Sequence, residues 1–170
     1  WSSRLAGAAY QLFTVPLDGG TPTRLNGTLG TGETVATGFD ISPEGTWVVY
    51  RSDEGTDNIY DLYSVPIAGG TRNRLNEELD PSADVLGSPS FPDFQISPDS
   101  GRVVYLADQS VDTVNELWSA PITGSSPATK LNSQLGSGGD VQAFRISPDS
   151  NWVVYGADQT TDAQDELWRV

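Results

Sequence analysis

Phe39-Asp40-Ile41-Ser42-Pro43-Glu44-Gly45-Thr46-Trp47-Val48-Val49-Tyr50 is written three times into this chain. It returns as Phe94-Gln95-Ile96-Ser97-Pro98-Asp99-Ser100-Gly101-Arg102-Val103-Val104-Tyr105. A third copy runs from Phe144 to Tyr155, with Ile146-Ser147-Pro148 and Val153-Val154 at the matching places. Ile41, Ile96 and Ile146 stand 55 and then 50 residues apart. A fixed period of this size marks a supersecondary unit that cannot bury its apolar faces alone and stacks on its neighbours.

Working outward, each unit breaks into short segments with no long 3.6-residue periodicity. Ser-Pro-Asp/Glu followed by Gly or Ser suits a type I turn, because proline pre-sets φ at its second position. A strand ends at Ile41, Ile96 or Ile146 before the turn. A second strand follows it, and its Val-Val-Tyr, apolar on both sides of the pleat, predicts a strand covered on both faces. Val48, Val103 and Val153 are therefore expected in the core. A polar hairpin comes next, and the residues between Asp53 and Asp57 are expected at its exposed tip. The third strand is Asp61–Pro66, matched by Glu116–Pro121 and by residues 166–170, with Leu62, Leu117 and Leu167 each twelve residues after the tyrosine. A Gly-rich turn leads to a fourth strand containing Arg74-Leu75-Asn76 or Lys130-Leu131-Asn132.

Tyr10 to Asn26 repeats only the third and fourth strands, and the last copy stops at its third. Strand content thus reads two, four, four and three. The blocks are 1–33 (a half unit), 34–87 and 88–138 (full units), and 139–170 (a partial unit). Glu77 to Asp93 breaks the rhythm and reads as a loop between units. Four antiparallel strands per repeat, packed face to face around an axis, make a β-propeller blade. The fold expected is all-β, an incomplete ring of two full and two partial blades. A closed propeller needs about four to eight, so the chain is expected to be either an excerpt of a longer polypeptide or a subunit of an assembly. The absence of Met and the opening at Trp1 point to an excerpt or a processed chain.

Composition narrows the function classes. Twenty-three acidic against nine basic residues give a net charge of −14, which repels phosphate and removes the usual electrostatic term of nucleic-acid binding. No run approaches the ~20 apolar residues of a membrane span. Cysteine and histidine are both absent. That excludes disulfides, thiolate or imidazole metal sites, and a Ser-His-Asp triad. No Gly-x-Ser-x-Gly elbow occurs either.

The acids that recur in the hairpins are the candidates for chemistry: Asp53, Asp108 and Asp158; then Asp57, Asp112 and Asp162; then Asp61, Glu116 and Glu166. Oxygen ligands at Asp-x-x-x-Asp spacing could serve Ca²⁺. Short carboxylates also accept backbone N–H bonds and fix hairpins. A folding device must be repeated in every blade whereas a site need not be, so the structural role is the one expected. No catalytic, cofactor-binding or metal-binding residue is assigned. The recurring aromatics Trp47, Trp118, Trp152, Trp168, Tyr50, Tyr105 and Tyr155 are expected to pack between blades. Asn26-Gly27-Thr28 fits the glycosylation pattern, a weak three-residue match.

From Tyr10 to Val170 the repeats resemble the WD40-like PD40 repeats of propellers similar to the periplasmic protein TolB. The residues that carry this are Phe-x-Ile-Ser-Pro-Asp, Val-Val-Tyr, Ala-Asp, Glu-Leu-Trp/Tyr-Ser-Val-Pro, Gly-Gly and Arg-Leu-Asn. The resemblance implies a non-catalytic, secreted or cell-envelope propeller segment (extracellular, periplasmic or at the cell surface). It would bind a protein partner or self-associate, as oligomer or filament, through open blade edges. The alternative it implies is the propeller of a larger enzyme, a prolyl-oligopeptidase-like peptidase or other hydrolase, with its catalytic domain elsewhere.

Overall fold

The computed structural model describes residues 9–87, 94–160 and 164–170, which form thirteen strands and no helix. An N-terminal hairpin pairs β1 (Phe13–Thr14) with β2 (Thr23–Arg24). The first blade is β3 (Val35–Ile41), β4 (Trp47–Ser52), β5 (Asp61–Pro66) and β6 (Asn73–Arg74). The second is β7 (Phe94–Ile96), β8 (Arg102–Ala107), β9 (Glu116–Pro121) and β10 (Thr129–Lys130). The third holds β11 (Val141–Ile146), β12 (Val153–Ala157) and β13 (Glu166–Arg169). Every sheet is antiparallel with its strands in chain order, so the expected content of two, four, four and three strands is what the described residues form.

The Ser-Pro turns close as expected. The fourth residue donates its N–H to the serine carbonyl, from Gly45 to Ser42 at 2.7 Å, Ser100 to Ser97 at 2.8 Å and Ser150 to Ser147 at 2.9 Å. That residue is left-handed each time, with φ of 75°, 61° and 62°. The first serine's Oγ also accepts the N–H that opens the next strand, Trp47 at 3.0 Å and Arg102 at 2.9 Å, or that directly precedes it, Trp152 at 3.0 Å. The recurring Ser-Pro is thus a hairpin closed from both main chain and side chain.

Two expectations shift. The fourth strand is only two residues long and stops before Leu75 and Asn76. Leu75 N–H still reaches Leu62 C=O at 2.8 Å, but the buried Asn76 then supplies its Oδ1 to Leu62 N–H at 2.8 Å. Leu131 with Asn132 on Leu117, and Leu25 with Asn26 on Leu12, repeat this. A side-chain amide replaces the next ladder bond and lets the chain turn to the next blade. Second, the rhythm does not break at Glu77. Leu25 to Val35, Leu75 to Val85 and Leu131 to Val141 all span ten residues. Val85 is fully buried and bridges Ala107 of the second blade, as Val35 pairs Ser52 and Val141 pairs Ala157. The extra residues therefore enter between Val85 and Phe94.

Three apolar clusters lie between successive sheets. Leu12 and Leu25 join Val35, Val48 and Tyr50; Val49 and Leu62 join Phe94, Ile96 and Tyr105; Val104 and Leu117 join Phe144, Val153 and Tyr155. Val48, Val103 and Val153 are buried as expected. The aromatic expectation holds for the three tyrosines and Trp118 and fails at Trp152, which is 44% exposed. Its ring faces the Arg169 guanidinium at 4.1 Å on the outer face of the third blade, where no further described sheet covers it.

Candidate functional site

The hairpin acids hold the strongest polar constellation, and it is built the same way in each blade. Buried Asp108 accepts the N–H of Asp84 at 2.6 Å on Oδ1 and that of Thr113 at 3.2 Å on Oδ2. Asp53 accepts the N–H groups of Thr34 and Asn58, and Asp158 accepts that of Asp140. The acceptors' partners reach onward to the preceding sheet. Asp84 Oδ1 accepts Tyr60 N–H at 2.6 Å, Asp140 Oδ1 accepts Asn115 N–H at 2.7 Å, and Thr34 Oγ1 accepts Tyr10 N–H at 2.8 Å. Burial raises the Asp84 carboxyl above its ordinary range, against the opposing pull of the Tyr60 N–H. Sequence reasoning missed Thr34, Asp84 and Asp140. Their signal was a small polar residue directly before the valine ten residues past each Leu of Leu-Asn.

The other recurring acids do not join these into a cluster. Asp57 and Asp112 are exposed, and Asp162 lies outside the described residues. Asp61 accepts from Asn76 Nδ2 at 2.7 Å and Tyr63 OH at 3.2 Å, with Arg74 3.8 Å away. Glu116 pairs with Lys130 at 2.8 Å and accepts from Ser110, while Glu166 accepts from Thr160. No group of three potential ligands that could hold a metal ion occurs among the described residues.

The hairpin tip corrects one expectation. Gly55 and Thr56 are exposed, but Glu54 is buried. Its carboxylate accepts from Gly27 N–H at 2.6 Å, Arg72 Nε at 2.6 Å and Tyr50 OH at 3.1 Å. Gln109 and Gln159 stand at the same place and accept from Tyr105 and Tyr155 at 3.2 and 3.0 Å. A buried phenol requires an acceptor, and the residue four positions on folds back to supply it. Asn26 is likewise buried, its amide engaged with Leu12 and Gly27, so the glycosylation pattern is structurally occupied.

A cleft between the second and third blades is lined by Ser97, Arg102, Val104, Ile146, Val153 and Val170, among others. Arg102 sits where the first blade has Trp47, and Ser119 holds its guanidinium through Oγ at 2.7 Å and C=O at 3.1 Å. Among the described residues that line it, the polar side chains are one cation, hydroxyls and an amide. Exposed apolar side chains lie elsewhere on the described surface. Phe39 and Ile41 are exposed on β3 although Phe94 and Phe144 are buried, and Val154 and Leu167 are exposed on the outer face of the third blade.

No protein-family model matches the chain, and no curated protein matches it. Solved structures do. A TolB candidate from Agrobacterium tumefaciens aligns over 94% of this chain and 50% of its own, with TM-score 0.60 and 22% identity. TolB from Acinetobacter baumannii aligns over 94% and 34%, with TM-score 0.55 and 16% identity. An oligogalacturonate lyase solved with manganese aligns over 92% and 40%, with TM-score 0.54 and 14% identity. The chain spans half or less of each of these proteins, and what it shares with them is the TolB-like β-propeller fold.

Proposed function

We propose that this chain is the non-catalytic propeller segment of an extracellular or cell-envelope protein and serves as a protein-binding or structural module. One observation carries the reading. The buried acids repeated in each blade accept backbone donors in a network that ties blade to blade, which supports a structural role for them. A chain without histidine or cysteine has few other groups for catalysis. The envelope setting, and the assignment of the repeats as WD40-like PD40 units, rest on the resemblance of their motifs to propellers similar to periplasmic TolB. Partners are proteins, engaged through open blade edges and faces.

A second reading, the propeller of a larger enzyme, is favoured by the shared fold with an oligogalacturonate lyase. The two separate on the full reading frame that contains these residues. Further blades without a catalytic domain are expected. A hydrolase or lyase domain fused in frame overturns the first reading in favour of the second.

A further inference from the structure

A seat that is filled between the N-terminal hairpin and the first blade stands open between the first and second blades. Arg72, three residues before Leu75, fills the first of these seats. Its Nε donates to the buried Glu54 at 2.6 Å, and its guanidinium lies 5.7 Å from the centre of the Tyr63 ring. Gly27, directly after Leu25-Asn26, makes room for it: a Cβ there would come within 2.6 Å of the guanidinium carbon.

At the next interface every one of these positions differs. Ala128, three residues before Leu131, replaces the arginine, and Gln109 replaces Glu54. Trp118 stands in the register of Tyr63, and Glu77, directly after Leu75-Asn76, takes the place of Gly27. The charge is thereby reversed. Burial raises the hydroxyls of both Tyr50 and Tyr105; Arg72 opposes the rise at Tyr50, whereas Glu77 adds to it at Tyr105. With the long side chain gone, a groove of about 500 Å³ opens between Arg74, Glu77 and Glu78 on one wall and Ser125, Pro127 and Ala128 on the other. Glu77 and Glu78 are exposed and form no ion pair among the described residues, while Arg74 lies 3.8 Å from Asp61. Both walls belong to four-stranded blades, so the groove is independent of either end of the chain.

We propose that this groove is a docking site for an arginine side chain of a partner polypeptide, with Glu77 receiving the guanidinium. A carboxylate holds that planar fork through two parallel hydrogen bonds, and Pro127 and Ala128 offer an apolar wall to the methylene stem. Two observations argue for this occupant. The groove carries two unpaired acids on a chain of net charge −14, and the chain itself uses an arginine at the neighbouring interface. The inference rests on the protein-binding reading and names the partner's chemistry.

The probe is a capped peptide, Gly-Thr-Arg-Asn, that copies residues 70–73, added to the intact chain. Binding is read by calorimetry and by the backbone amide shifts of Glu77, Ser125 and Ala128. The expected result is saturable binding. A peptide with citrulline for the arginine keeps the shape without the charge and binds about tenfold or more weakly, the loss of roughly one charge-assisted hydrogen bond. Glu77→Gln weakens the arginine peptide to a similar extent, and Ala128→Arg, which returns the chain's own guanidinium to the groove, abolishes its binding. Asp57→Asn, at an exposed acid elsewhere, leaves binding unchanged and so separates the groove from the general pull of an acidic surface. The citrulline arm leaves the protein unaltered, so a folding defect cannot imitate it. Equal binding of the two peptides, full binding by Glu77→Gln, or none at millimolar concentration overturns the proposal. So does free arginine that binds as tightly as the peptide, which would make a small cation the occupant. None of these outcomes bears on whether a catalytic domain shares the reading frame.

Discussion

Ser150 Oγ accepts the backbone N–H of Asp99 from the preceding blade at 3.0 Å, while its own backbone is held left-handed at φ 62°. Ser100 does the same for Glu44 at 3.1 Å and φ 61°. Glycine is the easy residue for this conformation, and Gly45 takes it in the first copy. The serines accept the strain and gain a bond between blades. Ser100→Ala keeps the strain and loses the bond, so it costs about 1 kcal/mol. Ser100→Gly loses the bond but relieves about 1 kcal/mol of left-handed strain, and it comes out near neutral. Urea unfolding of the two variants checks the order; a glycine variant less stable than the alanine one contradicts it.

Thr113 is left-handed at φ 64°, a costly place for a β-branched residue, yet it still donates its N–H to Asp108. Asn58 fills the same role in the first blade at φ 65°. Thr113→Asn and Thr113→Gly therefore stabilise the chain by about 0.5–1 kcal/mol, seen as an upward shift of the urea midpoint.

Asp108→Ala leaves two amide donors without an acceptor and costs about 2–4 kcal/mol, whereas Asp57→Ala on the exposed tip changes stability by less than about 0.5 kcal/mol. The hairpin acids act as caps, so Ca²⁺ or a chelator shifts the melting temperature of the parent chain by no more than about 2 °C. A large calcium-dependent rise, lost in Asp57→Ala, would show that the same carboxylates form an ion site.

Alkali unfolds the protein through its phenols. Burial raises the Tyr50, Tyr63 and Tyr105 hydroxyls well above their ordinary value of 10.0, with Glu54 adding to the effect at Tyr50 and Asp61 at Tyr63. A group raised in the folded state contributes stability that is fully present below its unfolded pKa and is lost as pH rises towards the folded one. The loss therefore begins near pH 10 and approaches about 1.4 kcal/mol per pH unit for each phenol. Tyrosinate absorbance should rise together with loss of the β signal. Ionisation of all six tyrosines before unfolding would contradict this.

What could be read without coordinates was what repeats. Ser-Pro with its following Asp or Glu, Val-Val-Tyr and the twelve-residue interval to Leu62, Leu117 and Leu167 determine strands, turns and sheet order, because local turn chemistry and two-sided apolar strands are properties of adjacent residues. The burial of Val48, Val103 and Val153 follows from the same pattern. The repeated hairpin acids could be singled out by recurrence alone, and their structural role could be argued.

Only the tertiary structure decided which backbone groups those acids hold. Asp108 reaches Asp84, and Asp84 reaches Tyr60, each across 24 residues; such partners are chosen by how one sheet stacks on the next. Stacking likewise buries Glu54 beneath Tyr50, moves the inserted residues downstream of Val85, and leaves Leu167 open while Leu62 and Leu117 are covered. Repetition makes residues equivalent in sequence, but the environment of each is set by the neighbour it packs against, and the third blade has no described sheet beyond it.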